Sequence, residues 1–431
     1  MNKVIKKAQN IYKNQGPATL VKKGSRFGLY HVRRIFFGNL QSKRYKTIWE
    51  EYNYLSNPLF QITQGDIDSS NKAISQELKG GIKTANWFVP NFDHIKFGGV
   101  FTIFRFIEKF SVEGVTSRII IYDNPSFDTA TLARQIEENF PNLKNYEIVI
   151  YDLNNQDVND LPESDIAFCS FWTSAYLLLK FNKTKRKYYF IQDYEPLFYA
   201  GGSTYALAES TYRFGMRALV NTPGLLAAVN SRHGMEGISF VPAVDQAIYH
   251  PDDSQSKNKK VRIFFYARPN NPRNAFNLGI LIIKQLLEKY GDKIEVITAG
   301  AVWDEGAFGL KGKITNLGLL SSLEEVAKLY RSCDIGFVYM LSKHPSYQPF
   351  EFMASGMATV TNNNEDNLWL LKDGENCLLA EPSPAAMAEK IGHLIDTPAL
   401  RKKIAKNGLK EIESNSWTNQ LETIWNDIKK N

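Results

Sequence analysis

The fold class is decided by one stretch near the C-terminal end, residues 339–363, with the sequence YMLSKHPSYQPFEFMASGMATVTNN. Its pattern predicts, in order, the end of an apolar strand, a polar loop, a short helix, a glycine and a second apolar strand. Pro349 lies where the first helical turn is expected, and Gly356 is placed to end the helix. Two apolar strands joined by a helix predict a unit of a parallel β-sheet.

Similar units recur from about residue 84 onward, where short apolar strands alternate with helical segments. Several strands are apolar at consecutive positions, which is typical of parallel strands buried on both faces. A polar stretch at residues 250–260, HPDDSQSKNKK, predicts a linker between two such series. Because 431 residues are too many for one core, we predict an α/β protein with two doubly wound, Rossmann-like domains that face a cleft.

The basic charge is concentrated at the N-terminus. Residues 1–50 hold twelve Lys or Arg and one acidic residue, whereas the whole chain carries a formal charge of only +7. Apolar residues at helical spacing accompany these charges, so a solvated helical arm and a peripheral contact with anionic membrane are both open interpretations. Nucleic-acid binding is not expected, because no recognition motif accompanies the charge.

The cysteines and the hydropathy pattern bear on the compartment. Cys169, Cys333 and Cys377 lack metal-ligand spacing, and so few cysteines do not predict a disulfide framework. The sequence contains no apolar run of about 18 residues and no signal-peptide pattern. We therefore expect a cytoplasmic protein, which would associate with the inner face of the cell membrane if the basic arm binds lipid.

The first candidate site is the turn in YARPNNPRNAF, residues 266–276, which follows a strand and precedes a helix. Open α/β sheets place phosphate sites at this position. Arg268 and Arg273 flank the turn. Two guanidinium groups that converge on one pocket suit a pyrophosphate, because each can donate two parallel hydrogen bonds. The alternative is a pair of surface arginines that bond helix carbonyls.

The second candidate site is the loop and helix of residues 339–363. The free N–H groups at the helix start near Pro349 favour an anion, and Lys343 and His344 lie in the loop just ahead. Glu351, expected in the first turn, has two interpretations. It complements the helix dipole, or it reaches past a diphosphate and accepts hydrogen bonds from sugar hydroxyls.

Glycines and acids elsewhere contribute to the expected cleft. Gly318 permits close backbone approach to a flat base, and Gly98 and Gly99 would let N–H groups approach a phosphate unless they only form a tight turn. Asp193 and Glu195 follow a strand and could orient an acceptor hydroxyl or act as a base. Solvated loop acids are the alternative for both.

No metal site is expected. The D-x-D sequence at Asp66 and Asp68 lies in a polar segment ahead of the first strand and not after a strand, so we do not assign it a metal. The arginines, the lysine and the helix terminus are expected to hold a diphosphate in place of a metal.

The order of these segments resembles the C-terminal donor domain of retaining glycosyltransferases of the GT-B fold, the large family 4 group. The similar segments are YARPNNPR, NLGLLSSLEEVAKLYRSCDIGF and FEFMASGMATVTNN, the last of which resembles the second half of the family's Glu-x7-Glu motif. The resemblance covers about residues 84–430. It implies nucleotide-sugar chemistry and a final helix that crosses back to the first domain.

Four segments look more narrowly like the WsaF-type rhamnosyltransferase subgroup: FGGVFTIFRF, SFWTSAY, FIQDYEPLFY and YARPNNPRN. This resemblance implies dTDP-L-rhamnose as the donor, a rhamnose-containing bacterial surface glycan, free or lipid-linked, as the acceptor, retention of configuration, and no further cofactor. A sugar-nucleotide epimerase or hydrolase of the same fold remains an alternative, as does an inactive sugar-nucleotide-binding protein.

The chain departs from the family pattern at three places. Lys343 stands where the first glutamate of the pair is usual, and Asn274 stands where a lysine usually follows the phosphate arginine. Trp172 and Thr173 stand where many relatives carry a histidine. One interpretation is that Arg273 and Lys343 supply the missing positive charge.

The resulting predictions cover domains and site residues. The expected domains are a basic extension at 1–83, an acceptor-side domain at 84–250, a donor-binding domain at 251–414 and a crossing helix at 415–431. The expected donor-binding residues are Gly98, Gly99, Tyr266, Arg268, Arg273, Gly318, Leu319, Tyr339, Lys343, His344, Ser346, Tyr347 and Glu351. The expected acceptor-side residues are Trp172, Thr173, Asp193 and Glu195. The expected catalytic residues are Arg268, Lys343, Glu351 and Asp193.

Overall fold

The fold was examined in a computed structural model, which describes residues 48–78, 80–92, 94–96, 98–252, 259–343 and 346–430. Most of the basic arm and His344 lie outside the described residues, and so do the predictions made for them. Residues 48–62 belong to a separate unit of the chain, in which residues 48–55 are helical and a 3-10 turn, Pro58–Phe60, follows.

In the described part of the larger unit, residues 63–431, thirteen parallel strands form two sheets. The first sheet contains β1 (Thr84–Val89), β2 (Thr116–Ile121), β3 (Tyr146–Ile150), β4 (Ser164–Cys169), β5 (Thr184–Ile191), β6 (Arg217–Asn221) and β7 (Gly237–Phe240). The second contains β8 (Val261–Tyr266), β9 (Ile294–Ala299), β10 (Thr315–Asn316), β11 (Ile335–Val338), β12 (Ala358–Asn362) and β13 (Leu378–Ala380). The strands of the first sheet precede the linker predicted at residues 250–260, and those of the second sheet follow it.

The strand order confirms two doubly wound domains. It is β3-β2-β1-β4-β5-β6-β7 in the first sheet and β10-β9-β8-β11-β12-β13 in the second, with parallel pairing throughout. In each sheet the order reverses beside the first strand, between β1 and β4 and between β8 and β11. Such reversal points open a crevice at the carboxyl ends of the strands, where ligands of this fold class bind.

Helices cover both sheets because each strand-to-strand connection is a crossover. They are α1 (Gln64–Ile74), α2 (Gly98–Val112), α3 (Thr129–Asn139), α4 (Trp172–Lys180), α5 (Ser203–Ser210), α6 (Pro223–His233), α7 (Phe276–Tyr290), α8 (Leu323–Arg331), α9 (Tyr347–Ala354), α10 (Pro384–Asp396), α11 (Pro398–Glu413) and α12 (Trp417–Lys430). Within the described ranges, no helix combines the length and the apolar character needed to cross a membrane.

Aromatic packing holds the first domain together. The ring of Trp87 in β1 stacks on Phe168 in β4 with centroids 3.9 Å apart, and Phe110 of α2 meets it edge-on at 5.3 Å. All three side chains are at most 1% exposed. Burial of such large side chains, each worth about 1.5–3 kcal/mol, anchors α2 and therefore its first residue, Gly98.

The last helix, α12, packs on the first domain although the second domain precedes it in sequence. Ile424, Trp425 and Ile428 lie in the same hydrophobic cluster as the first sheet. Arg217 of β6 donates hydrogen bonds to both carboxylate oxygens of Asp427 at 3.0 and 3.2 Å. The chain therefore passes from one domain to the other twice.

The structure corrects the limit of the predicted N-terminal extension. Helix α1 packs on β5 and α4, and the buried ammonium of Lys187 donates to Ser70 Oγ at 2.8 Å and to the Leu179 carbonyl at 2.9 Å. Residues 64–78 thus belong to the first domain and not to an extension that reaches residue 83. Asp66 of the D-x-D sequence serves α1 as part of a capping box with Thr63.

The structure also corrects the start of the helix that was predicted within residues 339–363. Helix α9 begins at Tyr347, with Ser346 as its N-cap, two residues before the predicted start at Pro349. A proline is tolerated there because the first N–H groups of a helix have no intrahelical partner. Glu351 consequently lies one turn into the helix and outside its first turn.

Candidate active site

A cavity of about 840 Å³ lies between the carboxyl ends of the two sheets. Its walls come from the start of α2 and the loop after β5 in the first domain, and from the turns after β8 and β11 and helix α9 in the second. This volume lies within the range of ligand-binding cavities in proteins. Most of the predicted donor residues line it: Gly98, Gly99, Tyr266, Arg268, Arg273, Leu319, Tyr339, Ser346, Tyr347 and Glu351.

The turn after β8 places two arginines in the cavity. Arg268 is exposed to it, with the guanidinium carbon 5.9 Å from the centre of the Tyr266 ring. Arg273 reaches across to the first domain, where its guanidinium lies 4.0 Å from the centre of the Phe198 ring and pairs with the Asp193 carboxylate. The arginines therefore line one cavity, as predicted, but Arg273 already has an anionic partner.

Asp193 joins the two domains within the cavity. Its carboxylate accepts hydrogen bonds from the Arg273 guanidinium and from the hydroxyl of Ser342, which follows β11. The side chain of Asp193 is 9% exposed. A second polar contact between the domains joins the hydroxyls of Thr102 in α2 and Tyr347 in α9 at 2.6 Å.

Glu351 projects from α9 into the cavity beside two phenols. Burial raises the pKa of Glu351 to about 7, against the opposing effect of the Tyr249 and Tyr330 hydroxyls, which favour the charged form. The carboxyl group is thus divided between its neutral and charged forms near neutral pH. A group in this state can accept hydrogen bonds from ligand hydroxyls or donate one.

Glu195 is a buried acid in the wall of the first domain. One carboxylate oxygen accepts hydrogen bonds from the backbone N–H of Trp172 at 2.6 Å and from the Tyr189 hydroxyl at 2.9 Å. The residue is 3% exposed, and burial raises the pKa of Glu195 to about 8. The structure therefore excludes the solvated loop acid that was one interpretation of this residue.

Replacing Glu195 with Gln is expected to make protein stability less sensitive to alkaline pH. Its folded-state pKa lies above the unfolded value, so the cost of burying the charge is absent below about pH 4.5 and complete above about pH 8. We expect Glu195→Gln to raise the melting temperature by several degrees at pH 9 and less at pH 6. Scanning calorimetry at both pH values measures this. The exposed Glu137→Gln serves as a control, and an equal gain in that variant would contradict the assignment.

Several predicted residues do not line the cavity. The Lys343 ammonium pairs with Asp366 Oδ2 at 2.8 Å in a separate depression beside α6. Trp172 and Thr173 are buried in the first domain and do not line the cavity, which corrects the prediction that they contact the acceptor. The preceding residues, Ser170 and Phe171, line the cavity instead. Both predicted residues turn inward because α4 presents them to the protein interior. Thr173 shares a hydrogen bond of 2.7 Å with the Tyr122 hydroxyl.

Gly318 also stays outside the cavity wall, although its neighbour Leu319 belongs to it. Its φ of +65° places it in the left-handed region, and its carbonyl accepts a hydrogen bond from the Gly300 N–H at 2.7 Å. Gly318 thus shapes the loop that carries Leu319.

Arg105 also lines the cavity and was not among the predicted site residues. Its guanidinium carbon lies 4.7 Å from the Phe101 ring centre and 5.1 Å from that of Trp417, and one nitrogen lies 4.0 Å from Asp245. Desolvation lowers the pKa of Arg105. A lone arginine in the apolar helix segment FTIFRFI was the available signal. Tyr249 was also missed and lies far from any motif. Gln192, Ser342 and Gln348, which line the same cavity, were likewise not predicted as site residues.

Several polar atoms of the cavity wall are buried without a hydrogen-bond partner among the described residues. They include Gln192 Oε1, Asn274 Oδ1, the Tyr339 hydroxyl, Ser346 Oγ and Gln348 Oε1. Buried polar atoms are nearly always paired in proteins, so such a set calls for a ligand or water. All five groups are neutral. No group of three or more His, Cys, Asp or Glu side chains in the described ranges is placed to hold a metal ion.

Comparison with known proteins agrees with this architecture. The family described as WsaF, N-terminal domain, matches residues 85–222, and the family described as WsaF, C-terminal domain, matches residues 261–392. The O-antigen biosynthesis protein RfbC of Myxococcus xanthus is 42% identical over 347 residues, which are 80% of this chain and 27% of that protein. The chain thus spans about a quarter of the length of this relative.

Two solved structures illustrate the shared fold. TarM from S. aureus gives a TM-score of 0.66 at 11% identity, with 82% of this chain and 99% of that chain covered. HepE from Anabaena, in complex with UDP-glucose, gives 0.61 at 14% identity, with 81% and 100% covered. Similarity at these identities concerns the fold alone. From the two family matches and the two facing doubly wound domains, we conclude that the chain belongs to the WsaF family and has the GT-B fold.

Proposed function

We propose that this protein is a glycosyltransferase that moves L-rhamnose from dTDP-L-rhamnose to a rhamnose-containing glycan of the bacterial surface, with retention and without a metal. The observation that carries the proposal is the convergence of two arginines, a carboxyl group and several unpartnered neutral polar groups in one interdomain cavity. Membership of the WsaF family supports it. So do the name of the RfbC relative, which refers to O-antigen biosynthesis, and the UDP-glucose in HepE.

In this proposal the second domain holds the nucleotide. Arg268 and Arg273 donate charge-assisted hydrogen bonds to the diphosphate, because their planar guanidinium groups match its oxygens. Glu351 accepts hydrogen bonds from the ribose-type ring. The apolar side chains of Leu319 and Val326, which line the same cavity, contact the base.

The transferred sugar is expected to be neutral. The unpartnered oxygens of Gln192, Asn274 and Gln348 can accept hydrogen bonds from sugar hydroxyls, whereas a carboxylate on the sugar would be repelled by them. Lys343, which stands at the position of the family's first glutamate, is paired with Asp366 outside the cavity. Neutral amides would then replace that glutamate in holding the sugar.

The proposed reaction exchanges one bond to the anomeric carbon for another. The bond from this carbon to the diphosphate oxygen breaks, the bond to the acceptor hydroxyl oxygen forms on the same face, and a departing phosphate oxygen takes the hydroxyl proton. Arg268 and Arg273 stabilise the charge that develops on the diphosphate. Asp193 positions the acceptor hydroxyl. Closure of the domains excludes water that would otherwise hydrolyse the donor.

A nucleotide panel followed by a transfer assay tests this function. We expect dTDP to raise the melting temperature more than UDP, GDP or ADP. We also expect release of dTDP from dTDP-L-rhamnose only when a rhamnose oligosaccharide is present, with a product whose new linkage, identified by NMR, has the same anomeric configuration as the donor. Stabilisation by none of the four nucleotides would contradict the proposal. Equal release of rhamnose with and without oligosaccharide would indicate a hydrolase.

A further inference from the structure

In the proposed reaction Arg273 binds the donor diphosphate and Asp193 positions the acceptor hydroxyl. In this structure the two side chains instead form an ion pair with each other. Asp193 follows β5 in the first domain, and Arg273 lies in the turn after β8 in the second. Ser342, after β11, donates its hydroxyl to the same carboxylate. Two strand ends of the second domain thus hold one acid of the first.

Arg273 is bound by the first domain on two sides. Its guanidinium lies on the face of Phe198 at 4.0 Å while the Asp193 carboxylate pairs with its edge. The side chains are 36% and 9% exposed, so the pair is shielded from solvent mainly on the carboxylate side. Such a pair is stronger than a fully exposed surface ion pair, because bulk water screens it less.

Carboxylate and phosphate oxygens compete for the same donors of a guanidinium. The guanidinium group offers its N–H donors in one planar fork, which a carboxylate or a phosphate can fill. We infer that Asp193 occupies on Arg273 the place that the donor diphosphate takes, so that donor binding displaces Asp193 and releases it toward the acceptor. This inference rests on the proposed function, and it adds a competition between a protein carboxylate and the donor.

The competition has a consequence for the order of binding. Until the diphosphate takes Arg273, the carboxylate proposed to position the acceptor hydroxyl is engaged with the second domain. Donor binding therefore comes first and prepares the acceptor side of the cavity. The cost is a weaker donor affinity than the two arginines alone would give, because part of the binding free energy is used to break the ion pair.

The test is the affinity for dTDP, measured by isothermal titration calorimetry at pH 8 on the full chain and its Asp193→Asn variant. Removal of the competing charge is expected to tighten dTDP binding about three- to tenfold. A residue with a merely structural role would instead leave affinity unchanged or weaken it. Ser342→Ala, which removes the second hydrogen bond to Asp193, is expected to give a smaller gain and decides the matter if Asp193→Asn does not fold.

Asp245→Asn is the matched control. This residue also lines the cavity, yet its carboxylate lies beside Arg105 and not beside Arg273. The affinity of the Asp245→Asn variant for dTDP should stay within about twofold of the affinity of the original protein. Equal tightening in Asp193→Asn and Asp245→Asn would indicate a general effect of cavity charge and overturn the inference, as would unchanged or weaker binding in Asp193→Asn.

These outcomes separate the inference from the function on which it rests. If the original protein binds dTDP and Asp193→Asn binds it no more tightly, only the competition is rejected. If neither the original protein nor any variant binds dTDP, the proposed donor is rejected, and the competition with it.

Discussion

Replacing Arg268 with Ala is expected to abolish most of the nucleotide affinity. Arg268 lies at the carboxyl end of β8, is exposed to the cavity, and has Tyr266 as its neighbouring ring. Loss of two charge-assisted hydrogen bonds to a diphosphate costs about 3–4 kcal/mol, which corresponds to roughly a 10²- to 10³-fold weaker affinity. Calorimetric titration with dTDP at pH 8 measures the effect, and thermal unfolding confirms that the variant folds.

Two further variants serve as controls for the Arg268→Ala result. Arg262→Ala removes an arginine of the same strand whose partner is Glu295 at 2.8 Å, outside the cavity, and is expected to leave dTDP affinity unchanged. Lys343→Ala is expected to behave similarly, because its ammonium pairs with Asp366 in the separate depression. A large loss in Lys343→Ala would restore its predicted role in the donor site. Unchanged affinity in Arg268→Ala would remove the diphosphate assignment.

Replacing Glu351 with Gln is expected to weaken dTDP-L-rhamnose binding in a pH-dependent way. With a pKa of about 7, the carboxyl is mainly charged at pH 8 and mainly neutral at pH 6. At pH 8 the loss of a charged acceptor of ligand hydroxyls costs about 1.5–3 kcal/mol, or roughly ten- to hundredfold in affinity. At pH 6 the difference should shrink, because the original residue is then protonated. Titration calorimetry at both pH values measures this.

The two interpretations of Glu351 predict different results here. A residue that only complements the dipole of α9 would change stability and leave ligand affinity unchanged at both pH values. Glu324→Gln, which alters an exposed carboxylate on α8, is the control and should not affect binding. In Glu351→Gln, stability above pH 7 is expected to rise, because a buried charge whose pKa is raised destabilises the folded state there.

Predictions from the sequence were accurate where the signal is local. β8 and β11 are apolar over consecutive residues, and strands buried on both faces must be so, whatever their neighbours are. The turn after β8 lies between a strand and a helix, as predicted. The limit of the N-terminal extension was wrong, because α1 is a polar helix whose membership in the first domain depends on Lys187 and Ser70.

The directions in which side chains point, and the residues with which they pair, could not be predicted from local sequence patterns. Trp172 and Thr173 were assigned to the acceptor side because they stand where many relatives carry a histidine, yet the helix that they begin turns them into the core. Glu195 and Asp193 lie two residues apart and differ in environment: one is buried among aromatic side chains, and the other pairs with the opposite domain.

Strand burial and turn chemistry are properties of adjacent residues, so the two doubly wound domains and the turn with Arg268 and Arg273 could be predicted from the amino-acid sequence. The pairing of Arg273 with Asp193, 80 residues away, and of Lys343 with Asp366 became visible in the folded chain. An ion pair depends on where two domains place their strand ends relative to each other, and no local pattern contains that distance.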